Sequence, residues 1–353
     1  MSNPLDLSGF THDQLPGRIV FGAGRRHDAP DELAAIGATR VLFIGGSHDE
    51  TTINDLAGRI DLESETIVGV RAHVPAQTVR DALRVVDRFE SDVVVAIGGG
   101  SATGLGKIVA RDRDVKLVAI PTTYAGSEMT PIWGMTEAGV KTTGRALRVL
   151  PVTVLYDPEL TIGLPRSVTV NSTFNAIAHC VEALWLPNTS PITQETAIAA
   201  VRVLTSAVDE VAEVLDDIDA RTRLLYGAHR AGSVLAAAGT GLLHQTAHVL
   251  GGMFDLDHGA MYAVLTPLMV EHHLRNRLTA TTALTAALGH DPASVLRDLA
   301  DDVDAPRSLS EIGFPPSRLT DAIVAVAEQT DTEPAHIGPV LTAAMGITTK
   351  EST

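Results

Sequence analysis

Asn175 and His179 stand four residues apart, as do His244 and His248, and His258 follows fourteen residues after His244. Side chains four apart share one face of a helix, so each pair can aim two groups at one point. A single histidine on an apolar helix is most often a satisfied core residue. Four imidazoles and a carboxamide on three successive segments make a candidate site, and two chemistries are open to it. The rings can bind a divalent metal, or they can protonate and orient a polar substrate. Histidines elsewhere, such as His12, His229 and His272, show no comparable grouping.

A second cluster suits an anion. The run from Asp92 to Lys107 is apolar up to Ile97, then passes through Gly98, Gly99, Gly100 and Ser101 into a helical pattern that includes Thr103. Consecutive glycines let backbone approach a ligand closely, and free N–H groups at a helix start form a pyrophosphate cradle. The plainer alternative is a tight turn that binds nothing. Two familiar phosphate motifs fail: G-x-G-x-x-G from Gly98 ends on Thr103, and a Walker A loop is one residue too long between Gly100 and Gly106 and has Ile108 after Lys107. Both failures speak against ATP hydrolysis. Thr122, Thr123 and Ser127 follow the next strand and could hydrogen-bond a nucleotide from the same sheet edge, although such residues also serve as helix caps. The strand Val41–Ile44 ends in Gly45, Gly46 and Ser47, with Asp49 and Glu50 slightly late for gripping a ribose 2′-hydroxyl. Gly45 and Ser47 would therefore border a dinucleotide, and small and hydroxyl residues there would not strongly repel a 2′-phosphate.

These residues need a scaffold, and the chain of 353 residues is long enough for one large domain or two. Short apolar runs at Arg18–Phe21, Arg40–Ile44, Thr66–Val70, Asp92–Ile97, Lys116–Ile120 and Val152–Tyr156 alternate with helical patterns. That order predicts a doubly wound, mostly parallel sheet in residues 1–160. Beyond Tyr156 three- and four-residue apolar spacings take over, as in Asn175–Trp185 and Gln194–Leu215, and predict an all-helical catalytic domain over residues 161–353. The active site is expected in the cleft between the two. The net charge of −16, without a basic run, speaks against nucleic acid and anionic membranes as partners. A lone cysteine, Cys180, and the lack of a signal-like apolar run in residues 1–10 predict a cytoplasmic location.

In these motifs the sequence resembles the iron-containing alcohol dehydrogenase family, and within it the maleylacetate reductase branch. The resemblance runs from about Arg18 to His273 and rests on Gly98–Ser101, Pro121–Glu128, Asn175–His179 and the His244, His248, His258 spacing. The wording Tyr156-Asp-Pro-Glu-Leu160 and Asn175-Ala-Ile-Ala-His-Cys-Val-Glu-Ala183 is closer to maleylacetate reductases than to generic alcohol dehydrogenases. The resemblance implies a homodimeric oxidoreductase that uses a nicotinamide cofactor to reduce maleylacetate, a small anion, to 3-oxoadipate in aromatic-compound catabolism. It implies that Gly98, Gly99, Gly100, Ser101, Thr122, Thr123, Ser127 and Lys141 contact cofactor. Asn175, His179, His244, His248 and His258 would line the reacting end. The segment Gly259-Ala-Met-Tyr262 departs from the Ala-Glu-Thr-His wording of that branch, which leaves the exact substrate open.

Metal-dependent relatives carry a carboxylate at the first ligand position, where this chain has Asn175. A neutral amide removes the only anion, so metal-free catalysis is expected, with protonated His179, His244 or His258 stabilising developing charge. Were a metal retained, His179, His244 and His258 would hold it. Lys141, Arg145 and Arg18 are the cations available to a dianionic substrate. Rival readings are a metal-dependent alcohol or aldehyde reductase, a dehydroquinate-synthase-like lyase and a nucleotide-binding protein without turnover.

Overall fold

Val, Ile and Leu dominate the apolar runs of the first half, and such side chains pack well on a pleated surface. The computed structural model describes residues 9–70, 74–137, 140–187, 189–275 and 278–346. Its described strands are β1 (Arg18–Phe21), β2 (Arg40–Gly45), β3 (Glu63–Val68), β4 (Val93–Gly98), β5 (Lys116–Pro121), β6 (Ile132–Glu137), β7 (Val140–Arg145) and β8 (Thr153–Tyr156). Six form a parallel sheet in the order β1-β8-β5-β4-β2-β3, while β6 and β7 pair as a separate antiparallel hairpin. The hairpin was not expected. Its Thr- and Gly-containing strands lack the apolar run that marks the others, and β3 starts three residues before its expected position.

Helices cover both faces of the sheet, as the period-two alternation of buried strands requires. Phe43, Val95 and Ile97 face one way, towards Leu33 of α1 (Ala29–Ala35) and Ile53 and Leu56 of α2 (Glu50–Ala57). Leu42, Val94 and Ala96 face the other way, towards Val79 and Val86 of α3 (Ala76–Phe89) and Leu105 and Ile108 of α4 (Gly100–Asp112). The chain runs outward from β2 to β3, returns to β4 and then proceeds to β5 on the opposite side. The strand order therefore reverses between β2 and β4, whose carboxyl ends lie side by side. Ligands of doubly wound sheets bind at such a switch point.

The second half is helical: α5 (Arg166–Ala183), α6 (Pro191–Glu213), α7 (Ile218–Ala238), α8 (Leu242–Phe254), α9 (His258–Leu274), α10 (Leu278–Leu288), α11 (Pro292–Asp302), α12 (Leu319–Thr330) and α13 (Pro334–Ala344). The chain divides into two compact units, one comprising residues 14–164 and 216–236, the other 1–13, 165–215 and 237–353. The expected division at 160 needs one correction, because most of α7 belongs to the sheet unit. The cause is local packing: Gly232 lets the α7 backbone approach Gly126, where an added Cβ would lie 2.4 Å from the Gly126 carbonyl oxygen. Arg221 of α7 is fully buried and donates to the Tyr124 hydroxyl. Among the described residues no helix is long and apolar enough to cross a membrane.

Candidate active site

The sheet unit contributes a glycine-lined edge. Gly98 ends β4 with φ 135°, a left-handed conformation that favours glycine, and a side chain there would meet Asp49 Oδ2 at 2.8 Å. Gly99 precedes α4 without any side-chain cap, so N–H groups of the first turn are left for a ligand. Gly99 and Ser101 are half-buried and Gly100 is exposed, while Thr122, Thr123 and Ser127 are half-buried on the segment after β5. Thr123 packs where a Cβ on Gly99 would fall, which joins the two segments. Thr103, by contrast, is 1% exposed inside α4, so its burial speaks against a contact with cofactor.

Gly45 is buried against Ile53, and Ser47 is exposed. Asp49 is not late after all. A short 3₁₀ turn, Ser47–Asp49, folds its carboxylate back to accept the Gly46 N–H at 3.0 Å, with Thr122 Oγ1 3.5 Å away. Burial raises the Asp49 pKa, against the lowering effect of the Gly46 and Thr122 hydrogen bonds. Behind this edge, Lys107 Nζ donates to Ser127 O, Thr130 Oγ1 and Ile132 O at 2.5, 2.8 and 2.9 Å, which fixes the loop that carries Ser127. The Lys141 side chain lies outside the described residues. Arg18 is paired with Glu32, and Arg145 donates to the Ala236 carbonyl.

The helical unit gathers the histidines. Asn175, His179 and Glu182 lie four and three residues apart on one face of α5, His244 and His248 lie one turn apart on α8, and His258 opens α9. Gly259 allows α9 to approach α5, since a Cβ there would lie 2.9 Å from Asn171 Cβ. The rings form two stacked pairs. His179 and His244, 6% and 2% exposed, lie with centroids 4.2 Å apart and planes inclined by 10°. His248 and His258 stack at 5.3 Å and 14°, with His248 exposed and His258 half-buried. The first pair is the buried support and the second meets solvent.

Two residues that were not singled out beforehand complete the set. Glu182, on α5, accepts the Gly241 and Leu243 N–H groups and His244 Nδ1, each at 2.7 Å. Its carboxylate thus caps α8, whose preceding residue Gly241 has no side chain of its own to do so. Three donors on one carboxyl describe an ionised acceptor facing a neutral imidazole. Tyr262, one turn into α9, is fully buried; its ring lies 4.7 Å from that of His244 and 5.0 Å from that of His258. The available signal for Glu182 was an acid three residues after His179 in an otherwise apolar helical run. Tyr262 sits in the segment whose wording departs from the resembling branch.

Burial pushes the His244 pKa down to about 3, with His248 adding to the shift. Burial also holds His179 well below the ordinary histidine value, and His244 and His248 lower it further against the opposing effect of Glu182. Both shifts favour the neutral ring, against the expectation that either serves as an imidazolium.

The arrangement also tests the metal reading. Asn175 Oδ1, His179 Nδ1 and His244 Nε2 are buried without a hydrogen-bond partner, as donors to a cation would be. The ring planes oppose it. A metal sits about 2 Å from nitrogen within each ligand's ring plane, but planes inclined by 10° with centroids 4.2 Å apart meet only on the order of 20 Å away. His258 Nε2 faces the Tyr262 hydroxyl at 3.3 Å. Among the described residues no group of three or more His, Cys, Asp or Glu side chains is placed to hold a metal ion. The donor set, as arranged, does not fit one.

Comparison with known proteins gives this geometry a family. The profile described as iron-containing alcohol dehydrogenase matches residues 16–158, and that of the Fe-containing alcohol dehydrogenase family C-terminal region matches residues 169–337. Maleylacetate reductase 1 of Cupriavidus pinatubonensis is 40% identical over 315 residues, covering 89% of each chain. Maleylacetate reductase of Pseudomonas sp. strain P51 is 41% identical over 310 residues, covering 86% of this chain and 87% of its own. The crystal structure of maleylacetate reductase from Agrobacterium tumefaciens superposes with a TM-score of 0.92 at 35% identity, covering 96% of this chain and 98% of that one. The chain belongs to the iron-containing alcohol dehydrogenase family and is an oxidoreductase with a nicotinamide-type cofactor.

Proposed function

We propose that this enzyme reduces maleylacetate, or a closely related unsaturated keto-dicarboxylate, to 3-oxoadipate in aromatic-compound catabolism, with NADH and without a metal. The observation that carries the metal-free reading is the stacking of His179 on His244, with an amide at position 175, where a metal site would need converging rings and an anion. The relatives named maleylacetate reductase support the substrate. NADH, when bound, supplies the hydride.

The sheet unit has the parts for that cofactor: the uncapped start of α4 for pyrophosphate, Thr122, Thr123 and Ser127 as hydroxyl partners, and Asp49 beside the β2 end for a ribose 2′-hydroxyl. Asp49 narrows the tolerance for NADPH without abolishing it. Reduction of an alkene conjugated to a ketone places negative charge on the ketone oxygen, and a proton then returns to carbon. The helical unit offers N–H donors for that charge from the two solvent-reaching rings, His248 and His258, and from the Asn175 amide. Preorganised donors need not be cationic to stabilise an oxyanion. Glu182 keeps the proton of His244 on Nδ1 and so orients the buried pair beneath. We also place the active form in the cytoplasm, in line with the lone Cys180, and as a homodimer, as the family resemblance implies.

The orphaned Asn175 Oδ1 and His244 Nε2 favour one second reading, an alcohol or aldehyde reductase that recruits Fe²⁺ or Zn²⁺ after a rearrangement of the rings. Following NADH absorbance with maleylacetate and with simple aldehydes separates the two. Oxidation of NADH with maleylacetate but not aldehydes supports the proposal, and activity confined to aldehydes removes it.

A further inference from the structure

Lys107 lies two turns into α4, and it is 1% exposed. Its Nζ reaches the carbonyl oxygens of Ser127 and Ile132 and the hydroxyl of Thr130. A carbonyl can only accept, so the amine donates at both ends of segment 127–132. Thr130 Oγ1 donates in turn to Ser127 O at 3.0 Å. Glu128, 3% exposed, accepts the Tyr156 hydroxyl of β8 at 2.6 Å. Burial lowers the Lys107 pKa to about 7 and raises that of Glu128, and the charge of each opposes the other's shift. Earlier in the segment, Gly126 abuts Gly232 of α7, and Tyr124 accepts from Arg221. Every second residue from Tyr124 to Thr130 is therefore buried and held from beneath, while Ser127 between them is half-buried.

We propose that Lys107 is a positioning residue for the cofactor: it ties the helix whose uncapped start receives the pyrophosphate to the segment that carries Ser127, so that both parts of the grip hold a fixed spacing before NADH arrives. The inference rests on the cofactor lying at this sheet edge, as read above. Lys107 acts from beneath, through protein oxygens, and preorganisation of this kind lowers the cost of ordering a site on binding. Contacts that are equal in ground and transition states change KM and spare kcat. A merely structural lysine would serve only to balance the buried Glu128 charge, and the two roles part under substitution.

The test reads Kd for NADH by fluorescence titration without substrate, then KM and kcat with maleylacetate. Lys107→Met keeps the side-chain length and removes the donors. Losing about one cofactor hydrogen bond as Ser127 drifts should raise Kd and KM for NADH about tenfold, with kcat within about twofold. Glu128 is then buried without its cation, so the thermal midpoint should fall. Lys107→Met combined with Glu128→Gln removes both charges and keeps an acceptor for Tyr156. Its midpoint should recover while Kd and KM stay about tenfold raised, and it decides the matter where the single variant does not fold. Thr130→Val, which keeps the lysine and drops one acceptor, should raise both about threefold. Wild-type Kd in the double variant or in Thr130→Val overturns the proposal, the former by leaving charge balance as the lysine's role. Wild-type Kd in Ser127→Ala would instead remove the cofactor from this edge, and the proposal with it. NADH binding without maleylacetate turnover in the wild type counts against the substrate alone, because Kd is read without it.

Discussion

Glu182→Gln is the substitution that asks most of the site. The glutamate accepts three hydrogen bonds at 2.7 Å, with Gly241 N and His244 Nδ1 on Oε2 and Leu243 N on Oε1. Glutamine keeps the volume but has one acceptor oxygen, so an NH₂ must face a backbone N–H at one of the two positions. Leaving one buried N–H unpaired costs about 1–3 kcal/mol, and charge assistance lost from the other two bonds brings the total to roughly 3 kcal/mol. The damage is local to the first turn of α8. Because 1.4 kcal/mol is a factor of ten, amide exchange at Gly241 and Leu243 should quicken by about a hundredfold. With a neutral amide in place of the carboxylate His244 is held less firmly in one tautomer, and kcat should fall at least about tenfold while KM for NADH holds. Exchange within threefold of wild type, together with unchanged kcat, would refute the idea that Glu182 caps α8 and orients His244.

Three further outcomes follow from the same geometry. His179, His229 and His244 are neutral in the fold, burial bringing His229 to about 4 and His244 to about 3, whereas an unfolded histidine titrates near 6.5. The unfolded chain therefore binds more protons below pH 6.5, so stability is fully present above that value and is lost as pH falls, by up to about 4 kcal/mol per unit for three such groups. Urea midpoints between pH 7 and 5 should drop accordingly, and a flat profile would contradict it. Asp49→Asn should raise kcat/KM for NADPH about tenfold or more, with little change for NADH beyond a modest loss of ribose contact; equal effects on both cofactors would remove Asp49 from the ribose site. Gly259→Val should destabilise the protein by about 1–3 kcal/mol in thermal melts, since its side chain would collide with Asn171 on α5.

What could be read from the chain alone divides along physical lines. The β4–Gly–α4 unit was legible because a buried strand, three glycines and a helix form a local pattern, and the histidine set was legible because a spacing of four places residues on one helical face. Thr103 misled because a hydroxyl next to a glycine loop reads the same whether it faces the ligand or the core. The affiliation of α7 depended on Gly126 meeting Gly232 across more than a hundred residues, which no window reveals. The β6–β7 hairpin lacked an apolar run. Asp49 was placed too late along the strand because a 3₁₀ turn folds it back to Gly46. Above all, charge state was not legible: burial, rather than residue type, pushes His179 and His244 towards the neutral form.

The central claim is that reduction relies on imidazole and amide N–H donors in a site whose rings do not converge on a cation. The direct measurement is metal content and maleylacetate turnover on the same sample, before and after exhaustive chelation. Metal-free reduction predicts transition metal well below one per chain and undiminished turnover. Stoichiometric iron or zinc, with activity lost on chelation and restored by the metal alone, would contradict it.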